Sequence, residues 1–387
     1  MSVLYLTNKP IYPKVDGGCV AMASFLNQLV NIHNKVDHLT VSTYKHPFEI
    51  INYPKNNKIN IYSVYIDTKI SFIKAFINLF SSTSYNVNRF YSKNFENKLT
   101  ELLSNDYKVI YIESIFLLPY LKTIRSSSNA KIILRTPNIE HKIWEKQIDL
   151  TQNLFKKIYL KHLTKKLKRF ENHHFKLIDG VLTISNHDAN YIRDLNLNTP
   201  LLNLPFAIES DKIENIKKNN FFFIGAYNWK PNLDAVIYLI NELFPEILKK
   251  IPDAKLHIAG SYTPIDLYKF KSESIFVYGK VESVKDFMKN HGILLTPIFS
   301  GSGVRIKILE ALSMGIPVIG TKIAIQGIYS NACLIAEKTN EYIEHIEYIN
   351  QNDISKIQKE ALEYINNNYN PIELEKKLNA FVEECKA

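Results

Sequence analysis

Short apolar runs alternate with amphipathic helical patterns along most of the 387-residue chain. Seven runs rich in β-branched and aromatic residues predict strands in the first half, at residues 3–7, 38–43, 59–65, 108–113, 131–135, 180–185 and 201–205. Five more predicted strands follow, at residues 220–226, 255–260, 274–279, 292–297 and 316–321. Several runs are continuously apolar, as expected for parallel strands that helices cover on both faces. The alternation is typical of βαβ units.

A charged, Asn-rich segment separates the two sets of strands and has little core-forming periodicity. We therefore place a domain boundary near residue 206. The pattern predicts an α/β protein with two Rossmann-like, doubly wound domains at residues 1–205 and 206–370. Residues 371–387 form one last predicted helix, which could cross back to the first domain. Because ligands bind beyond the carboxyl ends of strands in such sheets, the loops there are the candidate sites.

Composition narrows the class of protein. A hydrophobic fraction of 46% and a charged fraction of 22% exclude disorder over most of the length. Three distant cysteines, Cys19, Cys333 and Cys385, support neither a disulfide framework nor a zinc site, so we expect a cytoplasmic protein. We expect neither a signal peptide nor a membrane-spanning helix, because the N-terminus has the wrong order and length for the former and no run reaches about 18 uncharged apolar residues. A net charge of +10 favours anionic partners: phosphorylated small molecules, lipid headgroups or nucleic acid.

The strongest local signal lies in residues 293–321, which read as a strand, a loop with glycine spacing, an amphipathic helix and a second strand. A helix start of this kind offers free amides and a dipole that favours negative charge, so a phosphate fits there. Arg305 and Lys307 in the first turn add two cations, for which a bound anion is the economical explanation. Glu310 could accept hydrogen bonds from sugar hydroxyls or pair with Lys307. The alternative is that the glycines only turn the chain and the cations are solvated.

Two loops of the first domain give weaker signals. Gly17 and Gly18 stand directly before a helix, where they allow either a close approach to a ligand or a plain turn. Neither glycine loop has the GxGxxG or P-loop pattern, which argues against nicotinamide dehydrogenases and P-loop NTPases. After the fifth strand, Asn138, Glu140 and His141 could line a polar site, or the loop could serve only as a helix N-terminus.

The order of these features resembles the GT-B glycosyltransferases, specifically the retaining family 4 enzymes that use nucleotide-sugars. GSGVRIKILEALSMGIPVIGT is similar to the GSGxRxKxLEA stretch of members that act in bacterial surface polysaccharide synthesis. The W-x-P-N turn at Trp229, Pro231 and Asn232 looks like that subgroup's opening of the donor domain. PKVDGGCV matches the family's N-terminal Gly-Gly loop, and RTPNIEH is similar to its HNVE-type loop.

The resemblance implies a first domain that binds the acceptor and a second that binds the donor across a cleft. The donor-binding residues that it implies are Gly17, Gly18, Gly225, Ser302, Gly303, Arg305, Lys307 and Glu310. Asn138 and Glu140 are the candidate catalytic residues. The implied reaction is a metal-independent, hexosyltransferase-like transfer with retention, without a cofactor. The implied acceptor is a glycan or lipid-linked glycan of a cell-surface polysaccharide such as lipopolysaccharide.

Three places depart from the family pattern. Ser302 stands where the paired-glutamate motif has its first acid, and Pro137 stands where the HNVE-type loop has histidine. Ala226 and Pro231 fall where many members have the Arg and Lys that neutralise the diphosphate. Arg305 and Lys307 could replace these two cations. A catalytically impaired homologue that binds a sugar-nucleotide is therefore an alternative. A GT-B-fold sugar-nucleotide epimerase, which needs no acceptor, is another.

A basic patch at residues 156–169 carries seven Lys or Arg and no acid. Within it Leu163, Leu167 and Phe170 share a helical face, which could lie on anionic lipid or pack in the core. Residues 70–80 are a second apolar segment, which could receive a lipid-linked acceptor. We therefore expect peripheral attachment to the inner leaflet of the membrane. We do not expect nucleic-acid binding, because the patch lacks the interleaved aromatic residues of a recognised module.

Overall fold

The structure, a computed structural model, describes residues 2–78, 81, 83–149, 151–301 and 303–386. Ser302, one of the predicted donor-binding residues, lies outside the described residues. The chain divides into two compact units, Met1–Ala207 with Ile372–Ala387, and Ile208–Pro371. Along the sequence, the first unit gives way to the second after Ala207, and the predicted boundary lies near residue 206.

Seven parallel strands form the centre of the first unit. They are β1 (Ser2–Thr7), β2 (Lys35–Ser42), β3 (Ile59–Tyr65), β4 (Val109–Glu113), β5 (Lys131–Thr136), β6 (Gly180–Thr183) and β7 (Leu201–Asn203). The sheet order is β3-β2-β1-β4-β5-β6-β7. Side chains of β1 alternate between two cores, with Leu4 and Leu6 in one and Val3 and Tyr5 in the other. Helices therefore cover both faces, as the apolar runs predict.

The connections of this sheet are mostly helical. The helices are α1 (Gly17–Ile32), α2 (Phe72–Asn78), α3 (Tyr85–Asn88), α4 (Lys93–Leu102), α5 (Leu121–Ser127), α6 (Glu140–Asp149), α7 (Leu154–His174) and α8 (Asn186–Arg193), with short 3₁₀ turns at Ile50–Asn52 and Ile115–Tyr120. The basic patch lies on α7. Its three aligned apolar residues Leu163, Leu167 and Phe170 are 5%, 0% and 9% exposed, because they pack in the core. The prediction that they could face lipid is therefore wrong.

Six parallel strands form the centre of the second unit. They are β8 (Asn220–Ile224), β9 (Lys255–Ala259), β10 (Ile275–Gly279), β11 (Ile293–Thr296), β12 (Val318–Gly320) and β13 (Cys333–Ile335). The sheet order is β10-β9-β8-β11-β12-β13. The sequence missed β13, because three residues are too few to show a strand period. Both sheets reverse their strand order beside their first strand, so the predicted fold class of two Rossmann-like, doubly wound domains is confirmed.

The helices of the second unit begin after β8. They are α9 (Lys230–Tyr238), α10 (Phe244–Lys250), α11 (Val284–Asn290), α12 (Ile306–Ser313), α13 (Lys322–Ile325), α14 (Thr339–Gln351) and α15 (Ser355–Tyr369), with a π-helical stretch at Leu239–Leu243 and a 3₁₀ turn at Ile265–Phe270. A Schellman motif ends α12. The N–H of Ile316 donates to the carbonyl of Ala311 at 3.0 Å, and Gly315 takes the left-handed conformation with φ +74°. This turn leads the chain directly into β12.

The last helix, α16 (Pro371–Lys386), belongs to the first unit from Ile372 onward. Leu374, Leu378 and Phe381 are at most 4% exposed and join the core that contains Val3 and Tyr5. Among the helices of the described ranges, none has the length and the apolar character that spanning a bilayer requires.

Gly180, the first residue of β6, leaves the space that α16 occupies. A Cβ on Gly180 would lie 2.6 Å from Sγ of Cys385 and 2.9 Å from Cζ of Phe381. We expect Gly180→Ala to lower the free energy of unfolding by about 1–3 kcal/mol in urea denaturation, the usual range for an overpacked core. Adding Cys385→Ala removes the nearer obstacle and should restore part of the loss. An unchanged midpoint for Gly180→Ala would disprove this packing.

Candidate functional site

The carboxyl ends of β8 and β11 flank the point where the strand order of the second sheet reverses. Ligands of doubly wound sheets bind at such a point. The loop after β8 carries Gly225, and the loop after β11 carries Gly303 and leads through Arg305 into α12. Lys307 in α12 reaches back to the end of β8. The structure therefore brings predicted donor-binding residues from both loops to one edge of one sheet.

Lys307 is the centre of this site. Its Nζ donates a hydrogen bond to Oδ1 of Asn232 at 2.9 Å and lies 4.0 Å from the centroid of the Phe223 ring. Nδ2 of Asn232 in turn donates to the carbonyl of Ala226 at 2.9 Å, which fixes the amide. A Cβ on Gly225 would lie 3.0 Å from Nζ of Lys307 and 2.7 Å from Nδ2 of Asn232. Glycine at position 225 therefore makes room for the lysine.

The charge of this lysine is poorly compensated. The pKa of Lys307 is lowered to about 7, mostly by burial and also by the neighbouring Arg305, while Glu310 opposes both effects. The cationic form is thus disfavoured unless an anion comes close. Strongly shifted pKa values of this kind cluster at functional sites. Within the described ranges, no group of three His, Cys, Asp or Glu side chains is placed to hold a metal ion.

Arg305 packs against an aromatic ring on the same edge. Its Cζ lies 5.1 Å from the centroid of the Trp229 ring, and its Nη1 donates to the carbonyl of Gly303 at 2.7 Å. The residue is 6% exposed, and burial lowers its pKa. Gly301 has φ +115°, and a Cβ there would lie 2.8 Å from Cζ2 of Trp229 and 2.9 Å from Nη2 of Arg305. The glycine spacing of the loop thus serves this close packing.

Arg305 lies one position before the helix and not in its first turn, so this part of the prediction is wrong. Arg305 is the N-cap residue, with extended φ −88° and ψ 105°, and α12 begins at Ile306. The extended backbone directs the guanidinium toward Trp229 and leaves Lys307 in the first turn. As in any α-helix, the first amides have no acceptor within the helix. Gly303 has φ +84°, and apart from its chain neighbours no atom of a described residue lies within 4 Å of where its Cβ would stand, so the loop borders open space.

The first glycine loop, in the first unit, is closed by an ion pair. Nζ of Lys9 lies 2.6 Å from Oδ2 of Asp16, and Oδ1 of Asp16 accepts from the N–H of Cys19 at 2.8 Å. This cap starts α1 at Gly17, two residues before the predicted start at Cys19. A Cβ on Gly18 would lie 3.2 Å from both Nζ of Lys9 and Oδ1 of Asp16. Gly17 and Gly18 are both exposed, so their backbone can be reached from solvent.

The loop after β5 is held by a residue that the sequence did not indicate. Glu171 of α7 is fully buried and accepts from the N–H of Glu140 at 3.0 Å and from the N–H of His141 at 3.3 Å. Its Oε2 also lies 2.6 Å from Nδ1 of His141, which is fully buried as well. The prediction that His141 could line an open polar site is therefore wrong, because the ring packs inside the unit.

The two candidate catalytic residues differ from His141 in exposure. Asn138 is exposed and accepts from Oγ1 of Thr136 through its carbonyl at 2.7 Å. Glu140 is half-buried, and its pKa is raised to about 8 by burial and by the carboxylates of Glu171 and Asp188. A carboxyl group in this state keeps its proton near neutral pH and can donate a hydrogen bond.

A second network, which the sequence also did not indicate, lies where the first sheet reverses its order. Nη1 of Arg135 lies 2.6 Å from Oε1 of Glu113, and the hydroxyl of Tyr5 donates to Oε2 of Glu113 at 2.7 Å. The two charged side chains are 1% and 2% exposed. Ser114 directly after β4 has φ +76°, an uncommon conformation for a residue other than glycine. The network braces the carboxyl ends of β4 and β5 from within.

Comparisons with known sequences find one family that the second unit resembles. Residues 218–352 match the sequence profile of the family described as Glycosyl transferases group 1. A curated relative, an uncharacterized 44.6 kDa protein in the cps region of Klebsiella pneumoniae, is 24% identical over 284 residues, which cover 69% of this chain and 72% of the relative. The matched range contains the whole site around Lys307. Most of the second unit is thus similar in sequence to the group 1 glycosyltransferases.

Solved structures share the fold of the whole chain. A TarM variant from S. aureus, in complex with Fondaparinux, alpha-GlcNAc-glycerol and UDP, has a TM-score of 0.67 at 12% identity and covers 99% of this chain and 100% of its own. The pneumococcal O-GlcNAc transferase GtfA, in complex with UDP and GlcNAc, has a TM-score of 0.64 at 10% identity and covers 99% of both chains. At these identities the likeness is one of fold, and it agrees with the GT-B resemblance of the sequence.

Proposed function

We propose that the chain is a glycosyltransferase whose second unit holds the diphosphate of a nucleotide-sugar donor at Lys307, Arg305 and the first amides of α12. The ammonium of Lys307, with its pKa lowered to about 7 beside Gly225, carries this proposal. A lysine that burial disfavours is stabilised when an anion binds next to it. The match to group 1 glycosyltransferases and the UDP in both similar structures support a nucleoside diphosphate, with UDP as the first candidate.

Lys307 and Arg305 would also replace the two cations that are missing after β8. Ala226 and Pro231 occupy the positions where the resemblance leads us to expect Arg and Lys. Nζ of Lys307 stands 3.0 Å from where a Cβ of Gly225 would lie, so α12 delivers a charge to the end of β8. The leaving nucleoside diphosphate gains negative charge as the glycosidic bond breaks, and cations already held in place stabilise that charge without reorganisation. Glu310, one turn further along α12, would accept hydrogen bonds from the ribose.

The finer parts of the proposal rest on the resemblance of the sequence. We propose family 4 membership, retention of configuration without a metal ion, and a glycan or lipid-linked glycan acceptor bound by the first unit. The relative from a cps region supports a role in surface polysaccharide synthesis. Asn138 and the protonated carboxyl of Glu140 are proposed to contact the reacting groups, and the backbone of Gly17, Gly18 and Gly303 is proposed to approach the donor.

The proposal is tested by nucleotide binding and by the product formed from donor alone. In a thermal-shift screen of the full chain against UDP, GDP, ADP and CMP, we expect one nucleoside diphosphate to raise the melting temperature. A ligand at 100 times its dissociation constant adds about 2.7 kcal/mol of stability. Incubation with the matching nucleotide-sugar alone should release nucleotide slowly and yield no epimer. An epimerised donor would identify an epimerase, and a flat nucleotide screen would contradict the proposal.

The affinity for a nucleotide-sugar should fall as the pH rises from 6 to 9. Lys307 is charged below its pKa of about 7 in the free protein, and a bound diphosphate raises that pKa. Above pH 7 binding therefore requires uptake of a proton, and affinity should drop by up to roughly tenfold per pH unit. Calorimetric titration with a nucleotide-sugar measures this, since its diphosphate does not change charge in this range. A Lys307→Met protein should bind weakly and without this slope.

A further inference from the structure

The outer face of α7 changes from apolar to basic along its length. Leu154, Phe155 and Ile158 in its first turns are 67%, 85% and 58% exposed. Lys161 and Lys165 follow on the exposed side. Positions 154, 158, 161 and 165 recur at the spacing of a single helical stripe. The exposed side of α7 is thus apolar at its N-terminal end and basic in the turns that follow.

A second exposed apolar segment lies beside α7. Ile70, Ile73 and Ile77, in and before α2, are 67%, 74% and 63% exposed. The carboxyl end of α2 is tied to α7, because Nζ of Lys166 donates to the carbonyl of Asn78 at 2.8 Å. Residues 79 and 80 of the predicted apolar segment lie outside the described residues.

The other end of α2 is tied to α7 through α3. The N–H of Ser71 donates to the hydroxyl of Tyr85 at 2.9 Å. Ser84, the residue before α3, donates through Oγ to the carbonyl of Leu163 in α7 at 3.5 Å. The two exposed apolar segments are thus anchored on the same part of the first unit. We call Ile70–Ile77 and the exposed stripe of α7 from Leu154 to Lys165 the α2–α7 surface.

We propose that the α2–α7 surface docks on an anionic lipid bilayer. Exposed Leu, Ile and Phe side chains next to lysines suit the boundary between acyl chains and negatively charged headgroups. Two copies of this surface would bring the seven basic residues of 156–169 against each other without an acid, which disfavours self-association. A nucleic acid would use the lysines but would leave Phe155, at 85% exposure, without a partner. The surface differs from the predicted one, since Leu163, Leu167 and Phe170 are in the core.

Vesicle binding by the full chain tests this surface. We expect the protein to sediment with vesicles that contain phosphatidylglycerol, and to remain in the supernatant with phosphatidylcholine vesicles or at high salt. Each of the variants Lys161→Ala and Lys165→Ala should weaken binding roughly fivefold, the effect of one basic residue near such a surface. At low salt, a Phe155→Ser protein should bind anionic vesicles no more tightly than either lysine variant. Absence of binding to anionic vesicles at low salt would overturn the proposal.

A matched control uses Ile265 of the second unit, which is 78% exposed and lies far in sequence from the surface. Ile265→Ser should bind vesicles as the unchanged protein does, and an equal loss in both serine variants would overturn the assignment of the surface. Phe155→Trp supplies a second readout, because its emission should shift to the blue only with anionic vesicles. Two results without vesicle binding would refute the proposal and assign the surface to another partner. One is binding of RNA, and the other is a dimer that the Phe155→Ser substitution dissociates.

Discussion

Replacing Lys307 by methionine should lower kcat/KM for the nucleotide-sugar by about 10²- to 10³-fold and should raise the melting temperature of the free protein. The loss of activity follows from removing the cation that faces the leaving diphosphate. The gain in stability follows because burial disfavours the ammonium, which shows as a pKa lowered to about 7. Methionine has a similar length and would keep the contact with Phe223 without a charge. Initial rates and thermal unfolding of one preparation measure both effects.

The pH dependence of stability gives this prediction a second readout. The folded pKa of Lys307, about 7, lies below the ordinary value of 10.5 that applies to the unfolded chain. Between these two values the unfolded chain binds more protons, so the contribution of Lys307 to stability rises with pH. The full cost of burying the charge is present below pH 7 and is relieved toward pH 10. Lys307→Met should therefore gain most in stability at low pH and least at high pH.

Lys255 provides the matched control for Lys307. It is an exposed lysine at the amino end of β9, at the opposite edge of the same sheet. We expect Lys255→Met to change neither the rate nor the melting temperature appreciably. A Lys307→Met protein that is fully active would refute the role of Lys307 in donor binding. One that is both inactive and less stable would show that the lysine mainly supports the structure.

The sequence predicted the sheets well because their signal is local. Continuous apolar runs such as residues 220–226 identify a buried strand by themselves, and the loops at the carboxyl ends follow from the fold class. The start of α12 was less predictable. Glycine spacing and the amphipathic period suggest a helix from Gly303, whereas the contact between Arg305 and Trp229 keeps Arg305 extended. That contact joins residues 76 positions apart, which no local pattern reveals.

The first unit shows the same limit for side chains on one helix. The period of α7 places Leu163, Leu167 and Phe170 on a single face, but periodicity alone does not say whether that face meets lipid or core. In the structure this face packs in the core, whereas Phe155 on the same helix is exposed. Glu171 on the same helix was not recognised because its partners lie 30 and 31 residues earlier, at the start of α6. An isolated acid in a basic helix gives no sequence signal for such a role.

Glu171→Leu should destabilise the first unit by about 3–5 kcal/mol, the usual cost of removing one partner from a buried polar pair. The substitution would leave His141 buried without its carboxylate and would remove the acceptor for two amides at the start of α6. Because the positions of Glu140 and of the preceding loop with Asn138 depend on these bonds, transfer activity should fall together with stability. Urea denaturation at pH 7 and initial rates measure the two losses.

Glu140→Gln is the matched control, because it separates the chemistry of this loop from its architecture. With a pKa raised to about 8, Glu140 is mostly protonated in the folded protein at pH 7, so glutamine keeps its neutral state, and below pH 4.5 the two proteins should differ in stability by no more than about 0.5 kcal/mol. The unfolded carboxyl ionises near pH 4.5, so the stability of the unchanged protein falls as the pH rises from 4.5 to 8, and the glutamine variant should escape this fall. We expect this variant to fold normally and to lose transfer activity. A fully active Glu140→Gln protein would remove Glu140 from the reaction and leave Glu171 with a structural role alone.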